Sequence, residues 1–138
     1  RLLQQAPYTL MLLDVDHFKD VNDRHGHLLG DRALRAVADA VNASIRDGDI
    51  AVRYGGEEFL ILLPDTRLAQ AAQVAERIRQ RIAVAPLPFA LTVSMGLAAG
   101  EPTRGWAQQV FDRADQALYR AKAAGRNRVV VDDTPQHG

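Results

Sequence analysis

Residues 8–15 read YTLMLLDV, a run with almost no polar position, which closes on Asp14 with Asp16 just beyond. A strand with one solvated face alternates apolar and polar residues, so this one must be covered on both faces, like the central strand of a helix-flanked sheet. The run is far too short to span a bilayer, as is FLILL at 59–63. Cover for it must come from elsewhere in the chain.

Helical and extended patterns alternate along the rest of the sequence. From Asp31, read as an N-cap, DRALRAVADAVNASIR puts Leu34, Val37, Ala38, Val41 and Ile45 on one helical face. DIAVRY and EEFLILL flank Gly55-Gly56 and predict a hairpin, because paired glycines tolerate the positive φ of a tight turn. Pro64-Asp65-Thr66 is expected to cap a second amphipathic helix carrying Ala71, Val74, Ala75, Ile78 and Ile82 inward, which APLP at 85–88 then breaks. FALTVSMGLA predicts another strand, and residues 105–124 a helix with Trp106 as a core anchor and Gly125 as its C′ glycine. NRVVVD closes the set as a short strand. The order β, α, β-hairpin, α, β, α, β predicts an α/β fold of the α+β kind, with helices packed on a central mixed sheet.

The whole chain of 138 residues is expected to form one domain, with a core over about 8–132 and a polar tail at 133–138. Arg1 at the first position, where a methionine would stand, suggests a piece excised from a longer protein. Seventeen basic residues balance 17 acidic ones, which argues against a general binder of nucleic acid. With no cysteine there is no disulfide framework, which fits a reducing compartment, and the N-terminus carries no secretory leader pattern.

Acids gather where the first strand ends. Asp14 and Asp16 stand there, and Glu57 and Glu58 stand at a hairpin expected to pair beside it. Mg²⁺ takes oxygen ligands and is usually held by one or two carboxylates plus substrate phosphates, so Asp14 with Glu57 is a sensible pair. Solvated turn acids are the plain alternative. Gly55 and Gly56 favour the first reading, since they leave room for a phosphate-bearing ligand to approach the backbone.

RYGGEEF, together with DVDHFKDVND, HGHLLGD and DQALYRAKAAGRN, resembles the GGDEF domain of bacterial diguanylate cyclases in its GGEEF form. The resemblance runs from about Leu10 to Val131 with the motifs in family order and spacing. It implies a palm-like nucleotidyl cyclase fold and the condensation of two GTP into cyclic di-GMP with release of pyrophosphate. By the same resemblance, Asp14, Glu57 and the carbonyl of Val15 hold Mg²⁺ or Mn²⁺, and Glu57 or Glu58 accepts the proton of the attacking hydroxyl. Gly55 and Gly56 underlie the GTP, and Lys19, Lys122 and Arg126 contact its triphosphate. Asn22 and Asp31 read guanine, with His27 beside the nucleotide.

Several of these residues also have plain readings. Asp31 can be a helix cap, and Lys122 and Arg126, four residues apart, can complement a helix dipole. Arg-Asp-Gly-Asp at 46–49 matches the family's RxxD inhibitory motif, implying that Arg46 and Asp49 bind cyclic di-GMP with Arg77 contributed by a neighbouring domain. The plain alternative is a polar turn. The family's DxLTGLxNRR segment before the first strand is absent, with Arg1 its last trace. Catalysis by a homodimer, fused sensor or dimerisation domains, and a bacterial cytoplasmic location without membrane contact follow from the resemblance. Two other readings stay open: a catalytically silent module binding GTP or cyclic di-GMP, and a related cyclase or polymerase using another nucleotide.

Overall fold

The computed structural model describes residues 7–100 and 106–133. Nine elements follow in order: β1 Tyr8–Val15, α1 Phe18–His25, α2 His27–Ser44, β2 Ile50–Arg53, β3 Glu58–Pro64, α3 Leu68–Ala83, β4 Val93–Gly100, α4 Trp106–Ala123 and β5 Arg128–Asp132. The strands form one sheet in the order β2-β3-β1-β4-β5. β1 runs antiparallel to both neighbours while β5 lies parallel to β4, so the sheet is mixed, as expected.

β1 is buried along its whole length. Its odd positions, Met11, Leu13 and Val15, join a core with Leu34, Val37 and Val41 of α2 and Ala75, Ile78 and Ile82 of α3. Leu10 and Leu12 face the other way, against Val110, Ala114 and Leu118 of α4. The period of two thus gives each face its own helices, and it assigns Asp14 to the face of α4. α4 lies so close to β4 that a Cβ at Gly96 would overlap the backbone of Ala114 and Leu118. No helix among the described residues is long and apolar enough to cross a membrane.

Several local expectations change. Phe18–His25 is a helix that the sequence pattern did not announce, because in FKDVNDRH only Val21 is buried and Phe18 half-buried. Gly26, at φ 86°, separates it from α2. α2 begins at His27 with Gly26 at its N-cap, so Asp31 lies inside the helix and caps nothing. α3 begins after Arg67 with no side-chain cap. Thr66 instead donates to the Pro64 carbonyl at 2.8 Å, closing a turn between β3 and α3. β4 starts at Val93, four residues later than the apolar pattern, and neither Gly55 nor Gly56 adopts a positive φ.

The end of α4 follows the expectation. Arg126 N–H donates to the Ala121 carbonyl at 2.9 Å and Gly125 N–H to Lys122 at 3.3 Å, with Gly125 at φ 125°. Those two bonds form a Schellman motif around a C′ glycine. The side chain of Trp106, residues 134–138 of the tail, and Arg1 lie outside the described residues.

Candidate functional site

The register of the sheet brings the acids together. Asp14 of β1 pairs directly with Glu58 of β3, and both lie on the α4 face, Glu58 in phase with Leu60 and Leu62. Like charges directly opposite each other repel. Lys122, in the last turn of α4, answers that repulsion by donating from Nζ to Asp14 Oδ2 at 2.5 Å. Glu57 is tied in through its backbone, whose carbonyl accepts the Val15 N–H at 3.1 Å. The end of β1 and the tip of the hairpin are therefore one unit.

Burial first, then the charges of Asp14 and Glu58, push the Glu57 carboxyl above its ordinary range against the opposing pull of Lys122. Tyr54, which the sequence did not flag, borders the same charge. Its hydroxyl is raised to about 12 by burial and then by Glu58, Asp115 and Asp14. The ring meets Phe111 edge-on at 6.3 Å. Gly55 matters for space: a Cβ there would overlap the Glu58 carboxylate, which folds back over it. Gly56 has nothing within 4 Å of where its Cβ would stand, leaving the backbone open to a ligand.

The donor set suits a hard divalent cation. Among the described residues no three His, Cys, Asp or Glu side chains gather closely enough to hold a metal ion on their own. Two carboxylates, Asp14 and Glu57, with the Val15 carbonyl and open space for phosphate oxygens, match the sparse protein ligation typical of Mg²⁺. A cation bound at that point would relieve the crowded negative charge around Glu57.

The remaining predicted residues surround this unit. Lys19 on α1 is exposed and bonded to Asp23 at 2.9 Å, which raises its ammonium. Arg126 lies beyond α4 at φ 65° and Asn127 at φ 50°. His27 is exposed at the start of α2. Asn22 packs against Gly30, where a Cβ would overlap its Oδ1, so Asn22 adjoins the turn carrying Asp31. Asp31 lines a cavity of about 530 Å³ with Leu34, Ala38, Val52 and Phe59, between α2 and the β2–β3 hairpin.

Arg46 and Asp49 form a turn of their own, away from the acids. Asp49 Oδ2 accepts the Arg46 N–H at 2.9 Å, while Arg46 Nη2 donates to Thr66 Oγ1 at 3.0 Å and to the Pro64 carbonyl at 3.3 Å. Gly48, at φ 95°, makes the bend. Arg77 is exposed on α3 and is not joined to Arg46 or Asp49 among the described residues.

Asp16 is the residue whose role sequence reasoning missed. It is 6% exposed, and it accepts from Ser94 Oγ at 2.6 Å, Thr92 Oγ1 at 2.7 Å and the Asn127 N–H at 3.0 Å. Thr92 and Ser94 alternate toward one face, but only the β1–β4 pairing reveals that Asp16 is their partner.

A five-stranded mixed sheet whose first strand delivers a carboxylate to a glycine-rich acidic hairpin defines the palm-like cyclase class. Residues 1–128 match the family described as Diguanylate cyclase, GGDEF domain, and the chain belongs to that family. It is 46% identical over 127 residues to Diguanylate cyclase DgcP of Pseudomonas aeruginosa, covering 88% of this chain and 19% of the relative, so it spans about a fifth of that protein's length. The structure resembles the active GGEEF domain of a diguanylate cyclase from Vibrio cholerae with TM-score 0.87 and 35% identity, covering 94% of this chain and 85% of that one. It also resembles the GGDEF domain of DgcB from Caulobacter crescentus, solved in complex with c-di-GMP, with TM-score 0.85 and 36% identity over 93% of this chain and 79% of that one.

Proposed function

We propose that this chain is a single catalytic domain that condenses two GTP molecules into cyclic di-GMP. The observation that carries the reading is the convergence of Asp14, Glu57, Glu58 and Lys122 at one strand end beside an open glycine turn. A divalent cation, Mg²⁺ or Mn²⁺, held by Asp14, Glu57 and the Val15 carbonyl, supplies charge neutralisation on the triphosphate when bound. Lys19, Lys122 and Arg126 offset the rest of that charge.

In each half-reaction the 3′-hydroxyl of one nucleotide attacks the α-phosphorus of the other. A phosphorus–oxygen ester bond forms, the bond to the β-phosphate breaks, and pyrophosphate leaves. Glu57 or Glu58 takes the hydroxyl proton. One domain holds one GTP, so two domains must face each other across a two-fold axis to make both bonds. Fused sensor or dimerisation modules would bring them together, and a GTP substrate puts the domain in the bacterial cytoplasm. Incubation with GTP and Mg²⁺ at dimer-favouring concentration, with product mass read by spectrometry, tests the reading. A folded protein that binds GTP and yields no cyclic di-GMP would make it a silent module.

Base choice rests on Asn22 and Asp31. The Asp31 carboxylate can accept from guanine N1–H and the exocyclic amine together, a pattern adenine does not offer. Its exposure, its place on the cavity and its freedom from capping support that use. Asp31→Ser should raise KM for GTP by about tenfold or more and narrow the preference over ATP, because guanine's donors then go unpaired. Unchanged preference in a mixed GTP and ATP competition would remove Asp31 from the base site.

Arg46, Asp49 and Arg77 are proposed to form the second site, where cyclic di-GMP inhibits its own synthesis. Both arginines are exposed, which suits capture of a ligand between domains. Arg46→Ala should weaken product binding by about ten- to a hundredfold, the worth of its charge-assisted bonds, and let synthesis run to higher product levels. Calorimetric titration with cyclic di-GMP checks it, and equal affinity in both proteins would leave a plain turn.

A further inference from the structure

Asn127 is held from two sides by residues that no role has yet absorbed. Its backbone N–H donates to Asp16 Oδ2 at 3.0 Å, and its side-chain Oδ1 accepts from Arg79 Nη1 of α3 at 2.8 Å. Both holders are themselves fixed. Asp16 is buried and gripped by Ser94 and Thr92. Arg79 makes a bidentate pair with Glu76, Nε to Oε1 at 2.9 Å and Nη2 to Oε2 at 2.5 Å.

The held residue occupies left-handed backbone, at φ 50°, directly after Arg126 at φ 65°. Such conformations are sparsely populated by residues other than glycine, and two in succession persist when their surroundings hold them. Two consecutive ones turn the chain sharply between the Schellman end of α4 and β5, and Arg126 stands in that turn four residues after Lys122.

We infer that Asp16 and Arg79 are positioning residues for triphosphate binding: by pinning Asn127 they fix the turn that carries Arg126 and registers the end of α4 against β1. The inference rests on the proposed role of Arg126 and Lys122 toward the triphosphate. It also gives Asp16 a task distinct from cation binding, since both its oxygens are already committed to protein donors.

Two variants with opposite charge changes separate positioning from electrostatics. Asp16→Asn removes a negative charge near an anionic ligand, and Arg79→Ala removes a positive one; charge alone would strengthen binding in the first and weaken it in the second. Positioning predicts that both weaken it. The measurement is calorimetric titration of an α,β-methylene analogue of GTP, with Mg²⁺, into wild-type protein and each variant, alongside guanosine as a ligand lacking phosphates. Amide hydrogen exchange at Asn127 is followed by NMR.

The expected result is an analogue Kd raised about tenfold in both variants, with faster exchange at Asn127 and unchanged guanosine affinity. The full chain should stay folded in Arg79→Ala, whose side chain is half-buried and stands outside the apolar core that α3 forms with Ala71, Ala75, Ile78 and Ile82. Wild-type protein that binds the analogue while Arg79→Ala binds it equally well overturns this inference alone. Opposite shifts in the two variants overturn it in favour of simple charge. Wild-type protein that binds no analogue overturns the functional reading, and this inference with it.

Discussion

In Glu57→Gln protein, synthesis of cyclic di-GMP should fall by about a thousandfold or more, whether the residue serves the cation or the proton. Glutamine keeps the size and an acceptor oxygen but supplies neither the charge nor the basicity. Stability should not fall. The Glu57 carboxyl is raised above its ordinary range, so its ionised form is disfavoured by folding, and at neutral pH, above that range, its charge costs the fold stability. A neutral amide escapes the burial penalty and the repulsion from Asp14 and Glu58. Product quantification by mass spectrometry beside a thermal melt checks both halves: near-normal turnover sinks the assignment of Glu57, and a collapse of the melt makes it structural.

Gly96→Ala should lower stability by about 3 kcal/mol, a fall of roughly 10 °C in the melting temperature. Gly96 pairs with Leu12 on one side and Val130 on the other, in the middle of the sheet. The added methyl would overlap Leu118 N and the Ala114 carbonyl and lie 2.7 Å from Leu118 Cα. These are backbone atoms of a helix, with no rotamer to retreat into. α4 must therefore lift from the sheet. Lys122 lies one turn past Leu118, so its bond to Asp14 should loosen as well, and residual folded protein should bind GTP less tightly. An unchanged melt would mean that α4 can slide at no cost, against the close packing described.

The difference between what was legible in the chain and what was not follows sequence separation. β1 declared itself because an unbroken apolar run has few ways to be buried, and the inward faces of α2 and α3 follow from 3.6-residue spacing. Asp14 and Glu57 were visible because chemistry and motif pointed to the same atoms. Asp16 was seen at the strand end, but its partners Thr92 and Ser94 lie 76 and 78 residues away, and no local pattern links them. The bond between Arg79 and Asn127 spans 48 residues. α1 escaped because it offers only Phe18 and Val21 to the core. The start of α2 was misplaced because Asp31 has the chemistry of a cap, whereas Gly26 makes the corner with its backbone. Glycines 55 and 56 lack the positive φ expected of a tight turn, whereas the other reason for singling them out, the space that a missing side chain leaves, is present: the Glu58 carboxylate fills it at Gly55 and it stays open at Gly56.

Asp14 and Glu57 also differ in how firmly the molecule holds them. Asp14 closes a strand buried from end to end between two neighbours, the kind of segment that opens only when the whole molecule does. Glu57 lies in the turn after β2, a four-residue edge strand with most of its side chains exposed. Edge segments of that sort detach at lower cost. As temperature rises, the β2 arm of the turn can therefore loosen while the Glu57 carbonyl is still tied to the Val15 N–H, so the proposed site should lose the placement of the Glu57 carboxylate, and with it affinity for a cation, at temperatures where the bulk of the sheet remains intact.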